Sequence, residues 1–169
     1  AVIVGLFFED SISFLFRSNI ILVGLMLIIT SFLLYKTDNI NSKSKNINFS
    51  YAFFIGLIQA IAIIPGISRS GATIALAVML GVNKTEAARF SFLMVIPLIF
   101  GSIAKSILFN SNNEALIISP ILIIGFISAF LTGIIACKLM IKIVQNSQLK
   151  FFAVYCFLIG LAVIIYEVI

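Results

Sequence analysis

Histidine and tryptophan are missing from this 169-residue chain, charge is scarce, and cysteine and proline are few. The lack of histidine removes imidazole as an acid, a base or a metal ligand within these residues. Without tryptophan, any aromatic belt at a membrane interface must come from Tyr35, Tyr51, Tyr155, Tyr166 and the phenylalanines. The two cysteines, Cys137 and Cys156, stand alone in apolar runs, which excludes a disulfide framework or a zinc spacing. Charged residues make up 10% of the chain, where a soluble domain carries about 25%. With 62% hydrophobic residues in long, non-alternating runs, the chain reads as an integral membrane protein of helices, not a barrel. The net charge of +5 is not a nucleic-acid signature, because the basic residues cluster in the polar segments between apolar runs.

The most informative stretch runs from Tyr51 to Asn83. Two apolar arms, Ala52 to Ile64 and Ala72 to Gly81, flank a polar knot, Pro65-Gly66-Ile67-Ser68-Arg69-Ser70-Gly71. Each arm is shorter than the roughly 20 residues needed to cross a bilayer as a helix. A single span through 51–83 would bury an arginine at its centre, at a cost of roughly 3 kcal/mol on insertion scales. Irregular backbone at that depth is tolerated where it is buried in protein or lines a wet cavity. The stretch therefore reads as two half-helices meeting at a polar turn, a re-entrant pair. Pro65 and Gly66 break the first arm. Ser68 or Ser70 caps the second, whose N-terminus points its free amides and its positive dipole end into the break. Arg69 adds a permanent charge and a fork of donors that fits two phosphate oxygens. Together these groups make an anion site suited to phosphate. The alternative is a kinked helix whose Arg69 pairs with a buried carboxylate, although the chain has only six carboxylates.

The remaining chain divides into an incomplete apolar segment at 1–8, a loop at 9–19, and a span with its core at 20–35. A polar loop covers 36–50. A connection at 83–89, with Thr85 as its N-cap, leads to a span at 90–108 kinked at Pro97. A turn at 109–114 precedes a third span at 115–140, where Gly125 and Gly133 suit close helix packing. A basic loop at 141–150 leads to a last span at 151–169. With a re-entrant 51–83, the loops at 36–50, 83–89 and 138–150 share one side. They hold Lys36, Lys43, Lys45, Lys84, Arg89, Lys138, Lys142 and Lys150, eight of the eleven Lys and Arg. The positive-inside rule makes that side cytoplasmic. Asp38 and Glu114 read as loop residues, and Glu86 and Arg89 as a solvated interfacial pair.

The run from Gly56 to Pro97 resembles the second signature region of the undecaprenyl-diphosphatase (bacitracin-resistance) family. The resemblance rests on Gly56, Gln59, Pro65 through Thr73, Glu86-Ala87-Ala88-Arg89-Phe90-Ser91-Phe92 and Pro97, and it extends over essentially the whole chain. It implies an all-α membrane bundle carrying one half of an inverted repeat. It also implies a multi-pass protein of the bacterial plasma membrane that hydrolyses undecaprenyl diphosphate to the monophosphate and inorganic phosphate. That reaction regenerates a lipid carrier for cell-wall polymers and goes with bacitracin resistance. Members of the family carry an earlier motif of two glutamates a helical turn apart, followed by Pro-x-Ser-Ser-x-Gly-His. Nothing here matches that motif, so residues 1–169 read as a single membrane domain corresponding to the family's C-terminal portion, inactive alone.

On this reading Arg69 and Ser68 are the catalytic candidates, Arg69 binding phosphate and neutralising charge. Ser70, Gly71, Thr73 and Gln59 are the substrate-binding candidates. Each has a structural alternative: a helix cap for Ser68 or Ser70, a bond back to its own helix for Thr73, and an inter-helix hydrogen bond for Gln59, while Gly66 and Gly71 let the backbone approach the ligand. The resemblance implies a divalent cation, Mg²⁺ or Ca²⁺, with no ligand identifiable in this chain. The expected partners are undecaprenyl diphosphate and the membrane, with room for a homodimer and no nucleic acid. A competing reading is a transporter or flippase of an anionic lipid, since broken helices also serve carriers.

Overall fold

The computed structural model describes residues 20–40, 46–109, 120–146 and 148–168, and the expectations for 1–19, 41–45, 110–119, 147 and 169 lie outside the described residues. Seven α-helices carry the described residues: α1 Ile20–Asp38, α2 Phe49–Ile61, α3 Arg69–Met79, α4 Lys84–Leu93, α5 Val95–Phe109, α6 Pro120–Gln145 and α7 Leu149–Val168. Four stretches are long and apolar enough to cross a membrane: Ile20–Asp38, Lys84–Ser106, Pro120–Gln145 and Leu149–Glu167. The protein is an all-α, multi-pass membrane protein. The two remaining helices, α2 and α3, have 13 and 11 residues, about 20 and 16 Å of helix, well short of a hydrocarbon core of about 30 Å.

The frame is an antiparallel pair, α1 against α7. Their axes come close because both carry glycine at the crossing. A Cβ on Gly24 would lie 2.6 Å from the Ile164 side chain and 3.0 Å from the Gly160 carbonyl oxygen. A Cβ on Gly160 would lie 2.8 Å from the Gly24 carbonyl oxygen. Small residues at such a contact let backbones approach, and packing is what holds helices together in lipid. At the far end of the pair, Asp38 caps α7: its Oδ2 accepts from the Lys150 amide at 2.9 Å. A carboxylate there also meets the positive end of the α7 dipole. Lys84, at the start of α4, donates from Nζ to the Asp38 carbonyl at 3.1 Å. The chain between Asp38 and Lys84 thus leaves and returns at one end of the bundle.

Inside that frame sits α3, with seven of its 11 residues buried, among them Ile74, Ala75, Ala77 and Val78. It packs on α1, α2 and α4. Leu34, Ile55, Ile74, Val78, Val82, Ala87, Ala88, Val144 and Leu149 form the core around it. By contrast α6 is exposed from Pro120 to Leu139, and a Cβ at Gly125 or Gly133 would touch nothing within 4 Å.

Several boundaries differ from those expected. Residues 84–89 are not a connection but the first turns of α4, capped by Asn83, whose side chain accepts from the Thr85 amide at 2.9 Å. Ala87 and Ala88 are buried in the core, and that packing extends the helix past its apolar stretch. The break in the following span falls at Met94, ahead of Pro97, because proline at 97 offers no amide to the Leu93 carbonyl. Most of the basic loop expected at 141–150 is helical, since α6 runs to Gln145 and α7 begins at Leu149, with Val144 and Leu149 buried in the core. Asp38 ends α1 rather than lying in a loop. The close packing expected of Gly125 and Gly133 occurs instead at Gly24 and Gly160.

Candidate anion-binding site

After α2, the chain turns through residues 62–68. Ile64 and Ile67 donate their amides to Ile61 and Ile64 carbonyls, at 3.1 and 3.2 Å. Gly66 has φ +92°, a conformation other residues resist, and it lies directly on α1. A Cβ there would meet the Val23 carbonyl oxygen at 2.5 Å and the Met26 Cβ at 2.9 Å. The glycine therefore lets the turn approach another helix, where the sequence had suggested approach to a ligand.

Ser68 is the N-cap of α3. Its side-chain oxygen accepts from the Gly71 amide at 3.2 Å, and its carbonyl accepts from Ala72 at 2.8 Å. The amides of Arg69 and Ser70 are the two at this N-terminus that the cap leaves unused. A Cβ on Gly71 would sit 2.9 Å from the Ser68 hydroxyl, so glycine is what lets the cap close. Ser68, Arg69 and Ser70 are all half-buried. Among the described residues no carboxylate pairs with Arg69; the one ion pair joins Arg89 to Glu86 at 3.2 Å, with side chains 60% and 58% exposed. Such an exposed pair contributes about 0.5 kcal/mol or less. One helix N-terminus thus carries Arg69, with no carboxylate partner among the described residues, two amides, the positive dipole end, and the serines at 68 and 70.

Thr73 and Gln59 do not join that group. Thr73 is 1% exposed. Its hydroxyl lies 2.9 Å from the Arg69 carbonyl, 3.1 Å from the Ser70 carbonyl and 2.6 Å from Ser91 Oγ. With one proton to give, it bonds back to its own helix and takes a bond from Ser91, or the reverse. Gln59, 3% exposed, donates from Nε2 to the Met94 carbonyl at 3.3 Å. That bond ties α2 to the α4–α5 break, where Pro97 has disturbed the helical ladder.

Two residues that sequence reasoning gave no role, Thr30 and Ser91, and one that it read as a loop residue, Asp38, organise this part of the bundle. Thr30 of α1, 1% exposed, accepts from the Ser68 amide at 3.2 Å and donates to the Gly66 carbonyl at 3.4 Å. Ser91 holds Thr73, and Asp38 closes the far end. The only available signal for Thr30 was a hydroxyl pair, Thr30-Ser31, within an otherwise apolar span. For Ser91 there was only its place in the matching run.

Metal ligation finds no support among the described residues, where no three His, Cys, Asp or Glu side chains gather. Asp38 caps α7, Glu86 pairs with Arg89, and Glu167 lies at the far end of α7. These carboxylates do not fit a resident divalent cation.

Residues 1–162 match the family described as Bacitracin resistance protein BacA. The chain belongs to that family. Among its relatives, the undecaprenyl-diphosphatase of Christiangramia forsetii is 53% identical over 166 residues, which are 98% of this chain and 63% of the relative. The undecaprenyl-diphosphatase of Bacteroides fragilis is 45% identical over 167 residues, 96% of this chain and 63% of the relative. That of Methanococcus vannielii is 42% identical over 169 residues, 98% of this chain and 65% of the relative. The chain therefore spans somewhat under two thirds of the length of the curated relatives it matches. The family match takes in the whole turn from Pro65 to Thr73.

Proposed function

We propose that this chain supplies the phosphate-binding part of an undecaprenyl-diphosphate phosphatase, which releases inorganic phosphate and leaves undecaprenyl phosphate in the membrane. The observation that carries this reading is the N-terminus of α3, where Arg69, without an ion pair among the described residues, stands beside two amides that the cap leaves unused. A guanidinium in that position binds a phosphate through paired donors and offsets the charge that gathers on the transferring phosphoryl group. Ser70 donates to the same oxygens. Ser68, although engaged as a cap acceptor, keeps its proton for a phosphate oxygen. Gly71 preserves the cap, and Thr73 and Gln59 support the site from behind.

The helix lengths and the contact between Asp38 and Lys84 support the same reading. The Lys84–Asp38 contact, which brings both ends of the intervening chain to the lysine-rich end, supports reading α2 and α3 as a re-entrant pair, that end as cytoplasmic and the membrane as the bacterial plasma membrane. A polyprenyl tail then stays in lipid while its diphosphate meets the turn. A divalent cation, Mg²⁺ or Ca²⁺, belongs to the proposal for the complete activity, with ligands other than the described carboxylates. A homodimer is compatible with the bare α6. The relatives' names favour the hydrolase over a carrier of the same anion.

The test is phosphate release from undecaprenyl diphosphate in detergent with Mg²⁺ or Ca²⁺. It compares this chain, the same chain extended through its upstream reading frame, and the extended Arg69→Ala variant. The extended chain should be active, its Arg69→Ala variant slower by about 10²-fold or more, and the 169 residues inactive. Full activity in Arg69→Ala would sink the assignment.

A further inference from the structure

We infer that Thr30 is a positioning residue for Arg69, holding the polar turn in register from a different helix; this rests on the phosphate-binding role proposed for Arg69. A turn at this depth has two exposed weaknesses. Its Gly66 peptide is in a left-handed conformation, and its Ser68 amide lies one residue ahead of α3, beyond the reach of the helix's own bonds. Thr30 answers both with one hydroxyl. It accepts the Ser68 amide at 3.2 Å and donates to the Gly66 carbonyl at 3.4 Å. The side chain is 1% exposed, so water does not compete for either bond. The residue reached through Ser68 is Arg69 itself, one peptide along.

Thr30 is a firm anchor because α1 is not free to shift. Its Gly24 is locked into α7, and its Val23 and Met26 press against Gly66. Its C-terminus is tied to α7 and α4 through Asp38. Losing the Thr30 hydroxyl frees the Ser68 amide and the Gly66 carbonyl and lets the start of α3 drift. A drift on the order of 1 Å is enough to cost about 10²-fold in a reaction that depends on placed charge. A purely structural threonine would behave differently, since its removal lowers stability without altering the turn selectively.

The experiment pairs Thr30→Val, which keeps the shape and removes both hydrogen bonds, with Thr30→Ser, which keeps the hydroxyl. Two readouts are taken on the extended protein: hydrogen exchange at the amides of 66–72, and phosphate release resolved into kcat and KM. Thr30→Val is expected to speed exchange at Ser68 by tenfold or more and to lower kcat by ten- to a hundredfold. Thr30→Ser should restore both to within about threefold of the parent. Thr30→Val should also have less effect in an Arg69→Ala background than alone, since both then remove one function.

Unchanged exchange at Ser68 in Thr30→Val overturns the inference, as does altered exchange with unchanged kcat while Arg69→Ala is inactive. If Arg69→Ala keeps full activity, the phosphate-binding reading falls. Faster exchange in Thr30→Val would then still establish the hold of Thr30 on the turn.

Discussion

Two sets of glycines in this chain look alike in sequence and do opposite things. Gly24, Gly66 and Gly160 stand where an added Cβ would meet other atoms at 2.5–2.8 Å, two of the three being backbone oxygens. Gly125 and Gly133 stand in open space on α6. The first set fixes how α1, α7 and the polar turn fit together, and through them where Arg69 sits. The second set contributes only its poor helix propensity within this chain. A glycine in a membrane helix is therefore not in itself a packing signal: what matters is whether a second backbone has come close enough to exclude a methyl group.

That contrast can be broken experimentally. Gly66→Ala should be the most damaging change, because it adds left-handed strain to a clash with the Val23 carbonyl. The expected loss is about 3 kcal/mol or more, seen as a shift in SDS-induced unfolding and as lost phosphate release in the extended protein. Gly24→Ala and Gly160→Ala, which meet the neighbouring helix without the φ penalty, should each cost about 1–3 kcal/mol in the same titration. Gly125→Ala and Gly133→Ala should stabilise α6 by up to about 1 kcal/mol, since alanine is the better helix former and meets nothing. A loss at Gly125 or Gly133 comparable to that at Gly24 would erase the distinction.

The comparison also marks what could be read from the sequence. The membrane class, the four apolar spans and the two short arms were legible because span length and arm length are properties of consecutive residues. So were the polar turn and its family, because Pro65 to Thr73 carries most of its chemistry within nine positions. The cap at Ser68 was among the readings left open, and its bond to Gly71 decides the local geometry. The partners of the turn were not legible. Thr30 lies 38 residues before Ser68 and meets it only because α1 packs beside α3. Ser91, 18 residues beyond Thr73, is reached the same way. The role of Asp38 was misread because a carboxylate after an apolar span resembles a loop residue until α7, 112 positions on, supplies an amide for it.

The length of α3 acts as a ruler for depth. On the proposed re-entrant reading, with Lys84 at the membrane surface and α3 along the membrane normal, its 11 residues would set Arg69 about 16 Å deep, near the middle of a hydrocarbon core of about 30 Å. On that reading, a headgroup that touches this arginine travels half the thickness of a bilayer without its tail leaving the lipid. On the proposed function solvent makes that journey too, because the hydrolysis would consume a water molecule. The short helix and the proposed hydrolysis together call for a hydrated vestibule about as deep as one lipid leaflet.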